Sequence, residues 1–309
     1  MAVNNSRLRV TELDFDDIKT NLKTYLKAQT QFRDYDFEGS GMSVLLDTLA
    51  YNTHYLAYNA NMVANEMFLD SASLRSSVAS HAKALGYQIT SARAPVATIN
   101  ISLSTTDSTK TMPAGTSFTT TIDDITYKFV TIASVTSSNT GASVPFDNVK
   151  IYEGTYTTTK YIVDTSDVNQ RFILTDARSD TSTLTVKVQN SVSDTTSTTY
   201  TLATDITQLN TESKVYFGDG VLSQSLSDGN IVSLQYVITN KTMANGSFSF
   251  TSPGAINGTT NITVTTVSAA AGGAEPEGMD SIKLKAPLDY ASQGRAVSTK
   301  DYEVYVKKL

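Results

Sequence analysis

A metal site in this chain would have to be built from two histidines, His54 and His81, and carboxylates, because cysteine, and with it any thiolate ligand or nucleophile, is absent. The histidines fall on different expected helices among Tyr, Asn and Ser. No H-x-x-x-H spacing turns two imidazoles to one helix face, so hydrogen-bonded packing is the expected role of each. Asp14, Asp16 and Asp17 form an acidic cluster, but carboxylates gather at a helix amino end because its dipole and unpaired N–H groups attract them. The run FGDGVLSQSLSDGN places Asp219 and Asp228 beside glycines. A calcium loop needs oxygen ligands at alternate positions, and Val, Ser and Leu stand there instead. Tight turns between strands account for both aspartates, with Gly220 expected at positive φ. Gly39-Ser40-Gly41 lacks the preceding strand and third glycine of a dinucleotide loop, and neither a G-K-S/T phosphate loop nor a G-x-S-x-G elbow occurs. The expectation is a chain that carries no metal and no cofactor and catalyses no reaction.

Composition narrows the partners. Apolar residues make up 40% and charged residues 17% of the 309, with Ser, Thr and Asn filling the difference. The net charge is -6 and the pI about 5.0, which leaves no broad basic surface to neutralise phosphates, so nucleic acid is not an expected partner. The polar start MAVNNSRLRVTELDFDD has no signal-peptide core, and no run of about 18 apolar residues reads as a membrane span. A soluble protein without membrane contact is expected.

The elements that position these residues change character along the chain. Residues 1–94 read as a helical amino-terminal domain. Asp14 caps a helix along which Phe15, Ile18, Leu22, Tyr25 and Leu26 recur at three- and four-residue steps. Ser40 or Ser43 caps a second, long helix, with Leu45, Leu49, Leu56, Ala60 and Val63 as its expected core face. A third helix spans 73–85, closed by Gly86 in left-handed conformation. Residues 95–270 switch to period two: Ile99, Ile101 and Leu103, then Ile125, Tyr127 and Phe129, then Leu184, Val186 and Val188 alternate with polar residues, separated by Gly and Asn turns. A small β-domain inserted near 146–210 is expected inside this region. AAAGGAEPEG reads as a linker, so 271–309 is a linker and the start of a carboxyl-terminal domain, whose helix STKDYEVYVKKL is expected to continue past Leu309. The fold class is α+β and multi-domain, with a mainly antiparallel β-rich part after the helices.

Tyrosine marks the candidate protein interfaces. Tyr51, Tyr55 and Tyr58 form a stripe on the second helix, which serves either core packing or an interface, since tyrosine buries a large area and keeps a polar tip. Near the end, Tyr290, Tyr302 and Tyr305 supply rigid aromatic area and Arg295 a bidentate donor. That segment has too little chain left to build its own core, so it packs either on its own β region or on a partner.

The run from Phe32 to Tyr87, FRDYDFEGSGMSVLLDTLAYNTHYLAYNANMVANEMFLDSASLRSSVASHAKALGY, resembles the amino-terminal region of the baseplate wedge protein of contractile-tailed bacteriophages, within the baseplate J-like family. Pro113-Ala-Gly115-Thr116, then FGDG with DGNIVSLQYVITN and Ala244-Asn245-Gly246, and finally APLDYASQGRAVSTKDYEVYV are similar to further family segments, in the same order. The family's approach to FGDG is usually longer, and its chain continues well past the DYE segment. The resemblance implies a structural virion protein of the tail baseplate, assembled in the host cytoplasm. It implies pairing with a second copy of itself and with other wedge subunits, in a ring around the tail hub near tube and sheath that relays the contraction signal. Two other readings are a wedge homologue of a bacterial contractile injection machine and a glycan-binding or glycan-degrading tail protein. The last would need paired carboxylates in an aromatic-lined groove, and tryptophan is absent.

Overall fold

The computed structural model describes residues 14–29, 40–167, 170–194, 196–200, 208–209, 212–215, 217, 225–292, 295, 297, 299, 302 and 306. Gly39, Asp219, Gly220, Ser298 and Tyr305 lie outside the described residues. The fold class is α+β, with a helical amino-terminal region followed by antiparallel sheets. The chain divides into two compact units, Met1–Tyr87 with Met279–Leu309 and Gln88–Gly278. These bounds differ from the expected 1–94, 95–270 and 271–309. The stretch read as a linker is held by hydrogen bonds: Arg93 and Ala274 exchange two at 3.0 Å each, and Glu277 N donates to Thr90 O at 3.0 Å. Met279–Ser292 groups with the amino-terminal helices.

In the helical unit α1 is Phe15–Lys27, α2 is Gly41–Glu66, α3 is Arg75–Ala84 and α4 is Met279–Ser292. Asp14 caps α1 through Oδ1, which accepts from Asp16 N at 2.8 Å. Ser40 caps α2, its Oγ accepting from Ser43 N at 3.1 Å. Leu74 begins α3 without a capping side chain, and a carboxylate from the previous helix does the work. Glu66 Oε1 accepts from Ser73 N at 2.8 Å, Ser73 Oγ at 2.6 Å and Leu74 N at 3.2 Å. Gly86 follows α3 at φ 78°, the left-handed stop expected there. Lys19 Nζ pairs with Asp47 Oδ1 at 2.6 Å between α1 and α2. Ile282 and Ala286 of α4 are fully buried, and Lys283 Nζ donates to Asp70 O at 2.9 Å.

The β unit holds, in chain order, β1 (Val96–Ser104), β2 (Thr109–Met112), β3 (Ser117–Ile122), β4 (Ile125–Val130), β5 (Val135–Ser138), β6 (Ser143–Glu153) and β7 (Thr155–Ile162). They are followed by β8 (Phe172–Leu174), β9 (Ser179–Gln189), β10 (Thr198–Tyr200), β11 (Gln208–Leu209), β12 (Glu212–Val215), β13 (Ile231–Ile238) and β14 (Ile262–Ala271). The larger sheet runs β14-β1-β6-β4-β3 and the next β10-β9-β13-β7, with every pairing antiparallel. Period two places Ala97, Ile99, Ile101 and Leu103 inward on β1, where they join Phe118, Phe129, Phe146 and Ile151 in one core. Val186, Val188, Val232, Leu234 and Tyr236 build the second.

Residues 146–153, expected inside a small β-domain, belong instead to β6 of the larger sheet, and the second sheet runs on to Ile238. The reason lies in β13, IVSLQYVI, an almost continuously buried strand that forms the middle of that sheet and pairs with both β7 and β9. The chain passes from one sheet to the other at Glu153-Gly154. Glu153 is fully buried, and its carboxylate accepts from Thr239 Oγ1 at 2.7 Å, Asn240 N at 2.8 Å and Asn240 Nδ2 at 2.8 Å. Asp180 braces the same crossing by accepting from Ala94 N at 2.8 Å.

Candidate functional site

The feature that stands apart from ordinary folding is α2. Helices bury the line that lets neighbouring backbones approach closely, and on α2 that line is Ser43, Leu46, Ala50, Ala57 and Asn61. Leu46 is the one large member, 3% exposed. The side chains expected to form the core face point elsewhere: Leu45, Leu49 and Leu56 are 59%, 54% and 66% exposed, and Val63 is exposed as well. This overturns the assignment of that face to the core. The sequence pattern was helical as read, but α2 carries apolar residues on several sides, and packing within the chain selected the small ones.

The tyrosine stripe is also outside. Tyr51, Tyr55 and Tyr58 are each at least half exposed and are joined by Val44 and Met62. Tyr51 and Tyr55 pack edge to face, with ring centroids 4.7 Å apart. Hydrogen bonding to Tyr55, then electrostatic repulsion from it, and then desolvation push the Tyr51 pKa up. Over its 26 residues α2 is about 39 Å long and leaves two apolar stripes bare, the contiguous kind of exposed apolar surface that marks an interaction face. Val44, Met62 and the aliphatic stripe were missed as site residues, although their heptad spacing was there to be read.

The other candidates scatter. Tyr290 on α4, Arg295 and Tyr302 are exposed. Tyr305 lies outside the described residues. His54 and His81 stand on α2 and α3, and His81 Nε2 donates to the Glu66 carbonyl at 2.8 Å, a packing role. A shallow pocket of about 330 Å³ is lined by Glu66, Ser76, Ser77, Ser80 and His81. Burial disfavours the Glu66 carboxylate there, but hydrogen bonds from Ser73, Ser77 and the Ser73 and Leu74 amides outweigh it and hold its pKa at about 2. That carboxylate is committed to capping α3. Asp228 Oδ1 accepts from Thr165 N at 3.1 Å, as a turn-bracing aspartate does. Among the described residues, no group of three or more His, Asp and Glu is placed to hold a metal ion.

A helix with small residues inward and its largest apolar residues outward belongs to the class of chains that complete their packing against other proteins. Residues 14–87 match the family described as baseplate wedge protein gp6-like, helical domain. The chain is also 31% identical, over 95% of its length, to the baseplate wedge protein gp6 of Enterobacteria phage T4. The match covers 49% of that protein, so the chain spans about half the length of its relative. A solved structure, the anti-feeding prophage baseplate determined by cryo-electron microscopy with six-fold symmetry, is a weaker likeness. It has 14% identity and a TM-score of 0.32, covering 93% of this chain and 54% of that one.

Proposed function

We propose that this chain is a structural wedge subunit of a contractile-tail baseplate, acting by assembly and catalysing nothing. The observation that carries the reading is the bare apolar face of α2, which lies in the segment that matches the gp6-like helical domain. In this reading other wedge subunits cover the tyrosine stripe of Val44, Tyr51, Tyr55, Tyr58 and Met62, while a second copy of the chain and the ring around the hub complete the wedge. Tyr290, Arg295, Tyr302 and Tyr305 form a second contact region near the end of the chain. The braced crossing at Glu153-Gly154 makes the β unit a stiff spacer, suited to holding tube and sheath at fixed distances. Its site is the tail baseplate of the virion, reached by assembly in the host cytoplasm. Fab fragments raised against the purified chain test this on intact particles by negative-stain electron microscopy. Label at the tail end supports the reading, and particles labelled elsewhere or not at all refute it.

A further inference from the structure

The two larger sheets end in β14, β3, β10 and β7, and among the described residues the first three edges are protected. On β14, Ala270 accepts from Gly246 N at 2.7 Å and donates to Ser247 O at 2.8 Å, and two shifts break its register with β1. On β3, Thr119 and Thr251 exchange bonds of 3.2 and 2.8 Å. β10 is three residues long. Cover, irregularity and shortness are the devices that keep an edge from pairing with other chains. β7 has none of them. It pairs with β13 over eight consecutive residues without a shift, holds no proline, and exposes Thr155, Thr158, Lys160 and Ile162.

The pairing tells which backbone groups are bare. Val163 N donates to Asn230 O at 2.8 Å, and Val237 N, opposite Tyr156, donates away from β7 to Thr183 Oγ1 at 3.0 Å. Backbone groups alternate sides along a strand, so Thr155, Thr157, Thr159 and Tyr161 bond to β13. Tyr156, Thr158, Lys160 and Ile162 turn N–H and C=O outward. Gln170 Nε2 meets the outward Ile162 carbonyl at 2.7 Å and closes the ladder there. Among the described residues nothing meets the outward groups of Tyr156, Thr158 and Lys160. The edge from Tyr156 to Ile162 is about 20 Å long. Lys160 and Lys187 share one row of the sheet, each opposite Ser233. Asp180 on the same face is buried and accepts from Ala94 N, and neither lysine is in an ion pair among the described residues.

We propose that β7 is a docking edge, to which another protein adds an extended segment as a fifth strand with an acidic side chain beside Lys160. The inference goes beyond the wedge reading, because it concerns the β unit and holds or fails whatever covers α2. The bare amides and carbonyls demand an extended polypeptide, and the lysine selects among such segments, since opposite charges across a pair stabilise it and like charges do not. A second β7 is the wrong occupant. It would bring another lysine onto the same face and has no acid to offer.

The test uses the purified full-length chain and two fluorescein-labelled nine-residue peptides of alternating Thr and Val, with the central Thr replaced by Glu or by Lys. Anisotropy should show saturable binding of the Glu peptide, about fivefold or more tighter than the Lys peptide. Thr158→Pro removes an outward N–H and keeps the bonds to β13, so it should abolish binding with circular dichroism unchanged. Lys160→Glu should reverse the preference toward the Lys peptide. Hydrogen exchange at Thr158 and Lys160 should slow when the Glu peptide binds. No saturable binding up to millimolar peptide, binding that survives Thr158→Pro, or a preference that Lys160→Glu leaves unchanged overturns the docking edge. Should Thr158→Pro alter the circular dichroism, the reversal at the exposed Lys160 decides. The assay uses no particle, so its failure leaves the wedge reading intact, and Fab label away from the tail end leaves the edge intact.

Discussion

Leu46 and Leu49 are one turn apart on the same helix, and the structure gives them opposite fates. Leu46 is 3% exposed, so Leu46→Ala withdraws nearly a whole buried side chain and leaves a cavity beside α2. At about 0.8 kcal/mol per buried methylene plus the cavity term, the loss is about 2 to 4 kcal/mol. Leu49 is 54% exposed, so Leu49→Ala gives up only partial contact and costs about 0.5 kcal/mol or less. In a helical unit of roughly 100 residues each kcal/mol moves Tm by about 4 to 8 °C, so the two variants should differ by at least about 6 °C. Thermal unfolding of the full chain, followed by its helical circular dichroism signal at low concentration, reads the difference. Equal losses for the two variants, or a larger loss for Leu49→Ala, would refute the inside-out assignment of α2.

A Cβ at Gly154, which sits at φ 125°, would lie 2.2 Å from the Ile238 carbonyl oxygen, so Gly154→Ala should cost about 3 kcal/mol or more. Gly141→Ala, at φ 131° in open space, should cost only about 1 to 2, and calorimetry compares them. Glu153→Ala strands the buried Thr239 hydroxyl and leaves the part-buried Asn240 donors to water, and should cost about 1 to 3 kcal/mol in the same assay. Because the folded pKa of Glu66 is depressed to about 2 from 4.5, its contribution is complete above about pH 5 and disappears as pH falls toward 2. After allowance for solvent screening this is about 1 to 2 kcal/mol, and Glu66→Gln should abolish that part of the acid sensitivity of melting.

Local features were legible in the sequence. Asp14 and Ser40 cap the helices that start beside them, Gly86 stops α3, and the alternation of Ile99, Ile101 and Leu103 turns one face of β1 to the core, because each depends on neighbours a few residues away. What escaped was long-range choice. Periodicity gives the helical repeat of α2 without saying which of its apolar lines is inward, and Ala50 and Ala57 won over Leu49 and Leu56 because small residues allow close approach. Glu66 capping α3 from the preceding helix, Arg93 pinning Ala274, and Lys283 of α4 bonding to Asp70 join residues far apart in sequence or across a turn, where no local pattern records the partner. The tyrosine stripe was recognised, and its outward orientation needed the fold.

The central claim is that α2 is bare only until other proteins cover it. Cryo-electron microscopy of the assembled tail end, at a resolution that traces side chains, measures this directly. The account predicts that both the Tyr51-Tyr55-Tyr58 and the Leu49-Leu56 sides of α2 are buried there by neighbouring subunits. A particle in which this helix faces solvent, or a tail end in which the chain is absent, would contradict it.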